Sequence, residues 1–336
     1  MVALKPVSIA TSLLATLTIW GLGLASSVLA QTLTIYSGRG ESLIGPLIEQ
    51  AEKDLGFDIE VRYGDTSELA ISILEEGRNS PADLFFGQDA GALGALAREG
   101  RTVTIPSRIL NKVDERFRSP KGQWVGISGR SRVINYNTNM VSARDLPKSI
   151  WELTQPKWRG KVAWAPTNGS FQAFVTALRL TEGDARTLEW LQAMKNNGAV
   201  VYRNNTTIVE AVGRGEIELG LVNNYYLHRF LAENPDFPVG QHYTRNDAGS
   251  MVNIAGVAVL DTSDQPEQVF ALIDYLLRPE SQDFFAQKNA EYPLVTGIAP
   301  PANQLPINEI NPPRIDLSDL ADLDGTLQLL QRAGVL

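Results

Sequence analysis

From Leu33 onward the chain alternates short apolar runs with longer stretches whose apolar positions recur every three or four residues. "LTIYSG", "FDIEVRYG" and "ADLFFGQ" read as strands, the last without polar interruption and so buried on both faces. Among them, "ESLIGPLIEQAEKDLG", "DTSELAISILEEGR" and "AGALGALAREG" read as amphipathic helices. Gly56 closes the first; Asp65 or Thr66 opens the second, with Glu68 at capping-box spacing. This βαβαβ order predicts a mostly parallel sheet with helices on both faces. A second round begins near residue 160. There "GKVAWAP", "AVVYRN" and "IELGLVNN" read as strands, and "SFQAFVTALRLT", "DARTLEWLQAMKNNG", "TTIVEAVGRG" and "YYLHRFLAEN" as helices.

Between the rounds lies "WVGISGRSRVINYNT", and after the second comes "GSMVNIAGVAVLDT". Both are apolar, β-rich and free of proline, which suits strands crossing between two lobes. A helical pair, "PEQVFALIDYLLRPESQDFFAQKN", follows; residues 300–313 are predicted extended, and "DLADLDGTLQLLQRAG" is predicted as a closing helix. The expected fold class is therefore α/β with two lobes. Residues 31–131 plus about 252–300 form the first lobe, 132–251 the second, and 301–336 a C-terminal extended segment and helix. In open parallel sheets ligands sit outside the carboxyl ends of the strands. That places "YSGRGE", "FFGQDA", "APTNGSF", "YRNNTT" and "VNNYY" around a cleft between the lobes.

Composition adds limits. A chain of 336 residues exceeds what one core usually supports, and 43% hydrophobic with 20% charged residues is ordinary globular composition. The formal charge of −8 argues against nucleic acid as a partner but leaves room for a locally positive pocket. Residues 1–30 read as a cleaved signal peptide: Lys5, the apolar stretch "IATSLLATLTIWGLGLA", then "SSVLA" with its small-residue cleavage pattern ending at Ala30. The mature chain is then exported to the periplasm, soluble, with no span of its own. No cysteine is present, which removes disulfides and thiolate metal sites.

Three strand ends in the second round carry candidate chemistry. "APTNGSF" and "YRNNTT" place hydroxyls and amides where helices begin, with free backbone N–H groups suited to an oxyanion such as phosphate or carbonate. Plain N-capping explains either stretch taken alone. Asn223, at a third strand end, strengthens the anion reading. Tyr225 and Tyr226 stand at the junction of a strand and a helix, where adjacent phenols are able to converge. They are either packing residues or two phenolate ligands for a hard trivalent metal, with an anion pocket completing charge and coordination. Arg130 and Arg132 in "SGRSR" form an anion clamp or pair with surface acids. Two histidines, His228 and His242, are too few and too far apart for a zinc site. No G-x-S-x-G elbow or nucleotide loop is present, so catalysis has no candidate and the chain reads as a non-enzyme.

The chain resembles the periplasmic ferric-ion-binding proteins of ABC-type iron importers. The resemblance rests on "LTIYSGRGESLIGPLIEQ", "SPADLFFGQDAGAL", "SGRSRVINYNT", "PKWRGKVAWAPTNGSF", "TIVEAVGRGEIELGLVNNYY", "AEYPL" and "LLQRAG", which run from about residue 32 to 334. It implies a type II periplasmic-binding fold with crossing hinge strands that closes on Fe³⁺ and delivers it to an ABC permease in the inner membrane, as a monomer. Tyr225 and Tyr226 match the family's tyrosine pair. Asn168, Gly169, Ser170, Asn205 and Asn223 match its synergistic-anion residues, the anion being phosphate or carbonate, with Arg132 a lesser candidate. The sequence departs from the family where Gly40 stands for a histidine, Gln88 for a glutamate and Asn168 for a further tyrosine, so the first lobe's candidate metal ligand is Gln88, with Glu41 or Asp89 as acids able to reach the site. The rival expectation is the same fold binding an organic anion such as a phosphorylated sugar.

Overall fold

The computed structural model describes residues 1–3 and 32–336; the signal-peptide reading falls on residues outside the described ones. Parallel strands β1 (Leu33–Ser37), β2 (Ile59–Tyr63) and β3 (Leu84–Gly87) alternate with helices α1 (Glu41–Leu55), α2 (Thr66–Glu76) and α3 (Ala90–Arg98). Gly56 takes the left-handed conformation that ends α1, at φ 76°, where a side chain would be disfavoured. Asp65 caps α2 by accepting from the amides of Ser67 and Glu68. After the short α4 (Ser107–Leu110) comes β4 (Val125–Asn137), the long crossing strand. The second round is β5 (Val162–Trp164), α5 (Gly169–Glu182), α6 (Asp184–Asn196), β6 (Val200–Val201), α7 (Asn205–Gly213), β7 (Leu219–Asn223) and α8 (Tyr226–Glu233). Then follow β8 (Val239–His242), β9 (Val252–Val259), α9 (Pro266–Leu276), α10 (Pro279–Asn289), β10 (Tyr292–Pro293) and α11 (Leu323–Arg332).

The strands lie in the order β2-β1-β3-β9-β4-β7-β5-β6, with β8 and β10 also paired to β4. The division into two lobes is visible within β4 itself. Up to Ser131, which faces Val252, β4 pairs antiparallel with β9; from Arg132, which faces Asn223, it pairs with β7. β9 continues the first sheet alongside β3. Both predicted crossing strands are thus present. β8 and β10 were not foreseen: they are short and carry little periodicity.

Each sheet is anchored by an apolar core, and in the second lobe the anchor is aromatic. Phe171 and Phe174 on α5 pack against Trp164 of β5 and Trp190 of α6, with ring centroids 5.4–6.2 Å apart. All four rings are buried. Edge-to-face packing of this kind holds the first turn of α5 in one place.

The C-terminal segment ties both lobes together on the outside. The expected single closing helix is broken at Asp322 into a 3₁₀ turn over Leu317–Ala321 and α11. The turn lies on α3, where a Cβ on Gly94 would come within 2.4 Å of the Ser318 carbonyl oxygen. α11 lies on α5, where Thr326 and Thr176 share a buried hydroxyl contact of 2.7 Å and Arg179 pairs with Asp322 at 3.0 Å. The contact at Gly94 decides the sign of a substitution there. Intrinsic helix propensity favours alanine over glycine by about 1 kcal/mol. Overpacking against backbone costs roughly 1–3 kcal/mol. Gly94→Ala is therefore expected to lower stability, read as a lower urea midpoint; an unchanged or higher midpoint would mean the segment yields freely.

Candidate functional site

The site grows from the ends of three second-lobe strands. β5 runs into α5 through Asn168, whose side chain caps the helix by accepting from the Ser170 amide at 3.1 Å. The Ser170 hydroxyl donates to the same Asn168 oxygen at 2.6 Å. At the next strand end the capping role falls to Asn204, which forms a reciprocal box with Thr207. Asn205 is thereby released, and its amide nitrogen donates to Asn168 Oδ1 and Ser170 Oγ, both at 3.1 Å. Gly169 opens α5, where the first helical N–H groups lack intrahelical acceptors.

At the third strand end, β7 stops at Asn223 and α8 begins at Tyr226. Asn223 Oδ1 accepts from Arg132 Nη1 at 3.0 Å, and the same nitrogen lies 3.3 Å from Ser170 Oγ. Asn168, Ser170, Asn205, Asn223 and Arg132 are therefore one hydrogen-bonded cluster. Its inner atoms are unfilled: Arg132 Nη2, Asn223 Nδ2 and Asn205 Oδ1 are buried without a partner. Orphaned buried polar atoms are uncommon and ask for an explanation. Three in one cluster, two of them donors, suit an oxygen-rich anion.

Tyr225 and Tyr226 lie face to face beside this cluster, ring centroids 4.5 Å apart and planes 29° from parallel. Tyr225 is the cap residue of α8, in the helical region of backbone space, so the two side chains leave the chain in neighbouring directions. Both rings are half-buried. Burial, and then the neighbouring Tyr226, push the Tyr225 phenol well above its ordinary value, while Arg130 pulls it down. Arg132 is pulled the other way: loss of water lowers its guanidinium to about 10, against the charge of the two phenols. Arg130, Arg132, Ser170, Asn223, Met251 and Asn253 line one small cavity that includes residues of both crossing strands.

The junction itself is held by Asn224, fully buried between the lobes. Its backbone N–H donates to the Ser131 carbonyl at 3.0 Å, and its side-chain oxygen accepts from the Ser131 N–H at 2.8 Å. Its amide nitrogen donates to Ala290 and Gln304 at 3.2 and 2.7 Å. Every hydrogen-bonding group of that side chain is spent on the hinge. The adjacent Asn223 faces the cluster instead.

In the first lobe the strand ends are occupied differently. Arg39 follows β1, is fully buried, and grips Glu291 through two nitrogens at 2.7 and 2.8 Å. Ser128 adds a bond to Glu291 at 2.8 Å. Gln88 stands at the end of β3, and its side-chain oxygen accepts from Arg39 at 2.8 Å. Gly40 caps α1 with open space around it, and Glu41 is exposed. Asp89 is engaged in capping α3. Among the described residues no group of three or more histidine, cysteine or acidic side chains is placed to hold a metal. Two features escaped sequence reading: the Arg39–Glu291 pair, whose members are 252 residues apart, and the hinge role of Asn224.

Comparison with known proteins gives the chain its relatives. A family model described as bacterial extracellular solute-binding protein matches residues 79–315. The chain is 30% identical to the Fe(3+)-binding periplasmic protein of Serratia marcescens, over 97% of each chain. It is 30% identical to the major ferric iron-binding protein of Neisseria gonorrhoeae, over 90% of this chain and 93% of that one. Among solved structures, iron-bound HitA from Pseudomonas aeruginosa superposes with a TM-score of 0.82 at 31% identity, covering 90% and 99% of the two chains. Trichodesmium IdiA (FutA), in complex with iron and citrate ligands, gives 0.81 at 30% identity over 90% and 99%. A sugar-phosphate-bound protein, AfuA from Actinobacillus pleuropneumoniae, shares the fold at a TM-score of 0.70 and 16% identity. The chain belongs to the bacterial extracellular solute-binding proteins, within the family of periplasmic ferric-ion-binding proteins.

Proposed function

We propose that this protein is a periplasmic carrier that captures Fe³⁺ with Tyr225 and Tyr226 as phenolate ligands and delivers it to an ABC permease. A companion anion would sit on Asn168, Gly169, Ser170, Asn205, Asn223 and Arg132. The observation that carries the reading is the stacked tyrosine pair beside a cluster with three orphaned buried polar atoms. A phenolate oxygen is a hard donor suited to a hard trivalent cation, and the metal's charge displaces a proton that burial otherwise retains. Two phenolates leave Fe³⁺ one positive charge, which an anion on the neighbouring donors would offset. The lobes closing about β4 and β9 would present the permease with a shape distinct from the empty protein. The reading is one of binding and release, with no chemical conversion of the cargo. The organic-anion alternative has less support, since the ferric proteins are the nearer relatives in both sequence and structure than the sugar-phosphate binder.

Replacing Tyr225 or Tyr226 by Phe keeps the ring stack and removes one ligand oxygen. Iron titration of the parent protein is expected to raise a visible phenolate-to-iron band that saturates near one metal per chain. Each variant should lose that band and bind iron more than about 100-fold more weakly, beyond the 10–100-fold typical of an outer-shell change. An intact band in both variants would overturn the assignment.

The raised Tyr225 phenol gives binding a sign with pH. With its proton held above the ordinary tyrosine range, the Tyr225 phenol is protonated near pH 7 in the iron-free protein, and loading must release that proton. Each released proton makes affinity fall about tenfold per unit drop in pH. Two phenolates predict about two protons per iron, measurable by calorimetry in buffers of different ionisation enthalpy. Proton release near zero would mean the phenols stay protonated and the metal sits elsewhere.

A further inference from the structure

The lobes are joined at β4 and β9, which pair with each other where the two sheets meet. The C-terminal segment joins them again on the outside, with little slack. Its 3₁₀ turn over Leu317–Ala321 is docked on the first lobe. Leu317 and Leu320 are buried there, and the Ser318 hydroxyl accepts from the indole N–H of the buried Trp124 at 3.0 Å. Backbone lies against backbone: a Cβ on Gly91 would come within 2.8 Å of the Leu320 carbonyl oxygen, as one on Gly94 would meet that of Ser318. α11 is docked on the second lobe. Leu329 and Leu330 are buried, Thr326 shares its hydroxyl contact with Thr176 of α5, and Lys195 of α6 donates to the Gly334 carbonyl at 2.8 Å.

Asp322 is the single residue between the two docked pieces. Its backbone, at φ −78° and ψ 65°, continues neither the 3₁₀ turn nor α11. One residue spans at most about 3.6 Å when extended, so the lobes cannot move apart here without bending Asp322 or undocking its neighbours. Arg179 of α5 fixes that residue from the second-lobe side. Its Nη1 donates to the Asp322 carbonyl at 3.2 Å and to the Thr326 hydroxyl at 3.0 Å, while Nη2 pairs with the Asp322 carboxylate at 3.0 Å. Asp184 holds Nε at 2.8 Å, so the guanidinium is itself anchored. The carboxylate pair is worth little, because the Asp322 side chain is 56% exposed. The hold on the carbonyl acts directly on the backbone of the joint.

We propose that residues 317–332 are a clasp that confines the lobes to a narrow range of angles, with Asp322 as its joint and Arg179 as the residue that stiffens it. Rotation about β4 and β9 must also be absorbed at this crossing, by a residue whose φ and ψ change. Asp322 is where the segment bends, because the residues on either side are docked. Loosening the joint widens the spread of lobe angles and leaves both docked pieces in place. The confinement is independent of what the cleft binds; its effect on cargo release rests on the ferric reading above.

The chain has no cysteine, so two introduced ones take spin labels at defined positions. Glu68 of α2 and Arg203, just ahead of α7, are exposed and lie on different lobes, and Glu68→Cys with Arg203→Cys gives the labelled pair. Pulsed electron–electron distances are measured on the iron-free mature protein, on Arg179→Met, and on a variant with Gly-Ser-Gly-Ser inserted after Asp322. Thermal melts confirm that each folds. The parent should give one narrow distance distribution and the insertion one at least about twice as wide, with Arg179→Met between them. An insertion variant as narrow as the parent overturns the clasp. A wide insertion variant beside an unchanged Arg179→Met overturns the role given to Arg179. In a second arm, unlabelled iron-loaded protein is mixed with excess EDTA and the decay of the visible band is timed. The insertion is expected to speed release at least about threefold. An unchanged rate overturns the link between the clasp and release. No band in the parent sinks the ferric reading and leaves the distance result standing.

Discussion

The architecture depends on the exchange of partners inside β4. A strand normally keeps the same neighbours along its length; here β9 lies along one edge as far as Ser131 and β7 along the other edge from Arg132 onward. The exchange holds because Asn224 bonds Ser131 through both backbone and side chain, taking over the ladder where it would otherwise be interrupted. Three consequences follow from that bond pair. The two sheets meet at a fixed point, the arginines flanking Ser131 face one cavity, and the residue after Asn224 is Tyr225. The tyrosine pair is thus attached to the pivot about which the lobes would move. A motion of the lobes would be felt at the ligand with no intervening flexible loop.

Asparagine pairs show how the site separates framework from function. At Asn204–Asn205 the first residue caps a helix and the second reaches the cluster. At Asn223–Asn224 the first reaches the cluster and the second holds the hinge. Asn168 alone carries both duties, and it is supported by the ring packing of Phe171 and Phe174 below it. In each case the structural asparagine fixes the backbone from which its neighbour projects. Capping a helix and presenting a neighbouring side chain to the cluster are then complementary uses of one motif.

Much of this was legible in the sequence, for identifiable reasons. Apolar runs, strict alternation and apolar stripes announce strands and helices: β1 and β3 are buried runs, β2 alternates at the sheet edge, and α1 to α3 carry the stripes. The tyrosine pair and the polar strand ends were visible because unusual residues stood at element junctions. What stayed hidden depends on distant partners. Arg39 reads as one basic residue in a glycine-rich turn until Glu291 is brought to it from 252 positions away. The break at Asp322 is imposed by packing on two different lobes, which no local pattern of "DLADLDGTLQLLQRAG" reports. The arginines of "SGRSR" were legible as an anion clamp or as partners of surface acids; that no acid lines their cavity is a matter of distant packing, which no local pattern reports.

That last point bears on how a protein with a net charge of −8 holds a small positive cavity. Surface acids are screened by water and salt over about 10 Å, so they do little to neutralise a buried guanidinium. The first lobe shows the alternative: Arg39 is as deeply buried, and it has a bidentate carboxylate and a glutamine oxygen. The same fold therefore contains both solutions to one problem, a few strands apart. Where rigidity is the purpose, the charge is paired within the chain. Where the charge is left unpaired within the chain, an anion bound there would supply the pairing, and the stability forgone without it would become part of the free energy of binding.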